Sequence, residues 1–135
     1  MKHISTRQLA LCAVLTALAL GLSTLENLFP VTLLIPLPGV KLGLANIVTV
    51  FALYQLGALP ALAILTARCL LGGLFAGNAS AMLFSLLGGL TAMLVMILLR
   101  RLRCLSIYGV SIGGAAGHNL GQMAAALITL GNTAV

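Results

Sequence analysis

The chain has 135 residues, of which 61% are hydrophobic and 6% charged, and it carries a net charge of +6. Water-soluble domains carry roughly 25% charged residues, so a chain with so few cannot cover a surface facing water. The positive balance does not point to nucleic acid, because the cations form short clusters at the ends of apolar runs and no basic face. The composition predicts an all-α integral membrane protein, and the length suits a single transmembrane domain over residues 1–135.

Met1–Arg7 is short and basic, and the apolar, alanine-rich run from Leu9 to about Leu25 is the first predicted span. Ala13, Ala17 and Gly21 recur at four-residue spacing, with Ala10 near the same face. Such a stripe of small side chains lets another helix backbone approach closely, either within the bundle or from a partner protein. Glu26–Gly39 holds three of the four prolines and reads as a loop at the membrane surface. Val40–Leu56 is the second span and Leu59–Phe75 the third, joined tightly through Gly57, with Pro60 suited to the first turn of a helix. Gly77–Ser80 is a turn in which Asn78 or Ser80 can cap the next helix. Ala81–Leu99 is the fourth span, without a charge, and Arg100, Arg101 and Arg103 stop it. Leu105 to about Leu130 is the fifth, loosened by five glycines from Gly109 to Gly121.

Lys2 and Arg7 precede the first span, and the arginine cluster follows the fourth. An even number of crossings places both clusters on one side, which the positive-inside rule makes cytoplasmic, together with the N-terminus. The Glu26–Lys41 loop and the Asn78 turn then face outward. Asn46 lies about 8 Å below Lys41 at helical rise. Arg68 comes near mid-depth, where an arginine is costly unless it lines a pathway or pairs. His118 and Gln122 share a helix face by their i, i+4 spacing, with Asn119 beside them. Glu26, Lys41, Asn46, Arg68, Asn78, His118, Asn119 and Gln122 are therefore the candidate substrate-binding residues of an outward-opening pocket. Each has a plainer reading. Lys41 can snorkel to the headgroups, Asn46 can join helices, Asn78 can be a cap, and Arg68 can pair with Glu26 or with carbonyls.

The single carboxylate, Glu26, excludes chemistry that needs paired acids. No Walker A, HExxH or dinucleotide motif stands in a sensible context. Cys12, Cys69 and Cys104 are scattered and read as apolar packing residues. The expectation is a non-enzyme without metal or cofactor, and any uphill transport must draw its energy from a partner or an ion gradient.

The run PGVKLGLANIVTVFALYQLG (Pro38–Gly57), Arg68, the SLLGG stretch (Ser85–Gly89) and GVSIGGAAGHNLGQ (Gly109–Gln122) resemble a bacterial membrane family. That family is catalogued as heptaprenyl diphosphate synthase component I and as the Gx transporter family. It in turn resembles the substrate-binding S components of energy-coupling-factor transporters, which have six helices. The resemblance implies a multi-pass protein of the bacterial inner membrane with an outward site under the loop between spans one and two. It also implies contact with a transmembrane coupling subunit and its ATPases through Ala13, Ala17 and Gly21. Only five spans are counted, so a sixth helix is expected beyond Val135. The family's other name implies association with a polyprenyl synthase, in which this chain, lacking the acidic clusters that hold magnesium, would be a non-catalytic component.

Overall fold

A computed structural model describes residues 5–28, 44–102 and 104–131. Among these it shows five α-helices: α1 (Thr6–Leu28), α2 (Leu44–Gln55), α3 (Ala58–Ala76), α4 (Ala79–Arg100) and α5 (Ile107–Gly131). α1, α3 and α4 are long and apolar enough to cross a membrane. α5 is 25 residues long but is not among those three. Its His118, Asn119 and Gln122 put three strongly polar side chains within five residues and dilute its hydropathy. α2 is described over 12 residues, and the expected start of its span, Val40–Gly43, lies outside the described residues.

Each boundary has a local cause. Glu26, expected in a loop, is instead half-buried in the last turn of α1. No proline occurs in the sequence before Pro30, so the chain has no local reason to leave the helix at Glu26. Gly57 takes φ +100° between α2 and α3, and its N–H donates to the Ala52 carbonyl at 3.2 Å. Gly77 takes φ +60°, and the Asn78 N–H reaches back to the Gly73 carbonyl at 3.4 Å, a left-handed stop that favours glycine. Asn78 then caps α4, its side-chain oxygen accepting from the Ala81 N–H at 3.0 Å. α4 ends with Arg100 in its last turn, where a cation complements the helix dipole. Ser106 opens α5, its hydroxyl accepting from the Gly109 N–H at 3.3 Å.

The chain divides into two compact units, residues 1–64 and 65–135, with the division inside α3. In the first unit α1 packs on α2. Leu15 and Ala19 of α1, and Ala45, Val48, Thr49, Val50, Ala52 and Leu53 of α2, are buried. The Thr49 hydroxyl donates to the Ala45 carbonyl at 3.3 Å, so this polar group is satisfied inside its own helix. Ala10, Ala13, Ala17 and Gly21 are exposed on α1, and nothing lies within 4 Å of a side chain built on Gly21.

In the second unit α4 is central. α3 runs antiparallel to it, with Leu65 against Gly89, Cys69 against Ser85 and Gly73 against Met82. α5 lies much closer, also antiparallel, because its contact row is glycine. A Cβ on Gly113 would strike Leu99, one on Gly114 would meet Met96 at 2.7 Å, and one on Gly117 would meet Val95 at 2.9 Å. One on Gly121 would strike the Thr91 hydroxyl and lie 2.6 Å from the Leu87 carbonyl and 2.8 Å from the Gly88 Cα. This small-residue row lets the two backbones touch. The Thr91 hydroxyl clasps the crossing, with the Gly117 carbonyl of α5 at 2.8 Å and the Leu87 and Gly88 carbonyls of α4 at 2.8 and 3.0 Å.

The two kinds of glycine predict opposite outcomes for one added methyl. Gly121→Ala pushes against α4 backbone, which cannot yield as a flexible side chain does, and should destabilise by about 1–3 kcal/mol or more. Gly21→Ala meets open space and should stabilise α1 by about 0.5–1 kcal/mol through helix propensity. Thermal unfolding of both variants in the same detergent checks this pair.

Candidate functional site

The expected site residues divide between the two units. Glu26 and Asn46 belong to the first, and both are half-buried. Glu26 has an interaction partner of its own. Lys41 lies outside the described residues. Arg68, Asn78, His118, Asn119 and Gln122 belong to the second unit.

Within that unit, side chains of α3 and α5 come to one short stretch of α4, Ser85–Gly89: Leu65 and Cys69 from α3, His118 and Gln122 from α5. Leu65, Arg68 and Cys69 share a face of α3 by their i, i+3, i+4 spacing. That face meets α4, since Leu65 lies against Gly89 and the Cys69 thiol is 3.5 Å from the Ser85 carbonyl. Arg68 is half-buried, and its Nε is buried without a hydrogen-bond partner among the described residues. From α5, His118 and Gln122 come to Gly88. A Cβ on Gly88 would stand 2.8 Å from His118 Cε1, 2.9 Å from its Nδ1 and 3.1 Å from Gln122 Cγ. His118 also has an interaction partner of its own.

At 100° per residue, the α4 row facing α3 (Met82, Ser85, Gly89) and the row facing α5 (Gly88, Thr91, Val95, Leu99) are centred roughly a quarter turn apart. α3 and α5 thus flank adjacent sides of α4. Between the two rows α4 carries Ser85, Gly88, Gly89 and Ala92, together with the fully buried Met96, which meets Gly114 of α5. Leu65 and Cys69 reach this stretch from α3, and His118 and Gln122 reach it from α5.

Two expected members are placed differently. Asn119 is exposed, one residue and about 100° round α5 from His118, so it does not join His118 and Gln122 at Gly88. Asn78 is also exposed, and its side-chain oxygen is engaged as the cap of α4. Sequence reasoning missed Gly88, Ser85 and Thr91 as parts of the site. The available signal was the Gly88–Gly89 pair inside an otherwise large-residue apolar helix, where a glycine costs about 1 kcal/mol relative to alanine and so marks a close approach.

The electrostatics are one-sided. Residues 65–135 contain no aspartate or glutamate, and Arg68 stands far along the chain from the cluster Arg100, Arg101 and Arg103. Arg68 is thus a half-buried guanidinium with no carboxylate in its own unit and with its Nε–H unpaired among the described residues.

The described residues form helices throughout, three of them long and apolar enough to cross a membrane, which is consistent with the class of helical membrane components. Residues 15–135 match the family described as heptaprenyl diphosphate synthase component I, and the chain belongs to that family. No curated protein and no solved structure matches it.

Proposed function

We propose that this chain is the substrate-binding component of a transporter of the energy-coupling-factor kind, taking up a small anionic solute with energy supplied by partner subunits. The observation that carries this reading is Arg68, whose buried Nε lacks a partner among the described residues in a unit without a carboxylate. A cation in such surroundings is costly unless an anion meets it, and a guanidinium grips carboxylate or phosphate with two parallel bonds. The protein sits in the bacterial inner membrane with its N-terminus and the Arg100–Arg103 cluster inside and the Asn78 turn outside. The exposed Ala13, Ala17 and Gly21 of α1 offer the flat face on which a coupling subunit docks.

The family's description supports a second reading, in which the chain is a non-catalytic membrane partner of a soluble polyprenyl diphosphate synthase. The lack of acidic clusters fits a supporting role in that assembly. What copurifies separates the two readings: a membrane coupling subunit with ATPases, or a soluble synthase rich in aspartate.

Binding tests the first reading. Arg68→Gln should lower affinity for the transported anion by about 2–5 kcal/mol, roughly 30-fold or more, while the protein stays folded. Arg68→Lys should recover only part, because a point charge lacks the fork geometry. Unchanged affinity in Arg68→Gln, measured by calorimetry, sinks the reading. Ala17→Leu adds bulk to the docking face and should abolish copurification of the coupling subunit and uptake while binding persists. A complex that forms as before makes the stripe inert. Topology has an internal control, because Cys104 is exposed near the arginine cluster and Ala79 is exposed beside Asn78. In intact cells a membrane-impermeant maleimide should label Ala79→Cys, and Cys104 only after permeabilisation. The reverse pattern turns the protein over.

A further inference from the structure

Asn119 stands two residues from both Gly117 and Gly121, and two residues on a helix turn by about 200°. Those glycines hold α5 against Leu87, Gly88 and Thr91, so Asn119 lies on the side of α5 that faces away from α4, and it is exposed there. Among the described residues no hydrogen bond engages its amide. Its depth follows from the same contacts. Gly117 lies against Thr91 and Gly121 against Leu87 and Gly88, so Asn119 is level with the middle of α4, a helix of membrane-crossing length. In the membrane placement proposed above, an amide facing lipid at that depth is costly, because hydrocarbon offers it neither donor nor acceptor.

The outer face around Asn119 has the pattern of a helix seam. Tyr108, Ile112, Ala115 and Asn119 follow the alternating four- and three-residue spacing of a coiled coil, with Met123 one turn on, and all five are exposed. Ala115 and Ala116, one turn before the amide, let a neighbouring backbone come close. Whatever covers this face must offer a donor and an acceptor at Asn119. A second copy of the chain does so by symmetry. Copies of one topology share an orientation in the membrane, so a twofold axis joining them runs along the membrane normal and sets each residue beside its own equivalent at the same depth. An asparagine amide is self-complementary, its carbonyl accepting while its NH2 donates. A single asparagine in such a seam fixes register and the number of copies. Residues 104–135 hold no aspartate, glutamate, lysine or arginine, so two like faces do not repel each other. We propose that the chain forms a parallel dimer through this outer face of α5, with the two Asn119 amides paired at its centre. The proposal rests on the membrane placement and is independent of the anion-binding reading of Arg68.

The test uses the full chain in phosphatidylcholine vesicles, with Cys12 and Cys104 replaced by alanine and the buried Cys69 kept. Ile112→Cys and Met123→Cys should each form a disulfide-linked dimer when oxidised with copper phenanthroline. A mixture of the two, one of them tagged, should give no mixed dimer, because the positions are eleven residues apart, about 16 Å at helical rise. Leu94→Cys, exposed on α4, should remain monomeric and measures random collision. Energy transfer between labelled copies, followed as lipid dilutes the protein, reads the association itself. Asn119→Leu should weaken it about tenfold or more, as expected for the loss of paired amides between membrane helices. Asn119→Gln keeps an amide and should recover part of the loss. Thermal unfolding of Asn119→Leu should not fall, since the new side chain is apolar and faces outward. The proposal is overturned if Ile112→Cys and Met123→Cys cross-link no better than Leu94→Cys, or if mixed pairs form as readily as like pairs. It is also overturned if the chain stays monomeric at every dilution, or if Asn119→Leu associates as the parent does. A monomer whose thermal stability drops in Asn119→Leu assigns the face to another segment of the same chain and so removes the dimer. Release of the chain from the vesicles by alkaline carbonate removes the membrane placement itself, whereas a monomer that stays inserted removes only this inference.

Discussion

The second unit depends on the contact between the backbones of α4 and α5. Everything near the candidate site is fixed by that approach, because Gly113, Gly117 and Gly121 leave no room for side chains between the two helices. In an apolar medium helices gain little from hydrophobic burial against each other, so close packing and hydrogen bonds between helices carry more of the association. The glycine row supplies the first and Thr91 the second. His118 and Gln122 belong to the same helical surface as that row, so their position is inherited from the crossing.

Arg68 is understandable only against this background. The chain spends no carboxylate on it within its own unit, although a paired arginine would be easier to hold in an apolar environment. A buried N–H left unpaired lowers the stability of the folded chain, and on the anion-binding reading proposed above a bound anion restores it.

The helices are largely legible from the sequence because each end has a strong local signal. Gly57 and Gly77 stop helices by backbone conformation, and Asn78 starts one by capping. Glu26 is the exception: the prolines that follow it suggest a loop beginning at residue 26, whereas helix propensity carries α1 on to Leu28. In the site, i, i+4 spacing correctly puts His118 and Gln122 on one face, because that pattern depends only on helix geometry. It cannot show which neighbour that face meets. Asn119 falls in with them only by nearness in sequence, which on a helix sends the next residue about a quarter turn or more away. Gly88 and Thr91 leave only a composition signal, since what they do is defined by the partner helix.

Thr91 gives the crossing a further property. One hydroxyl proton stands within reach of three carbonyl oxygens, two on its own helix and one on α5. It can be handed among them without ever being left unbonded. Along the rest of the contact, Leu99, Met96 and Val95 of α4 fill the gaps left by Gly113, Gly114 and Gly117 of α5. The two helices are therefore keyed in register, and His118 and Gln122 keep their place at Gly88 only while that register holds.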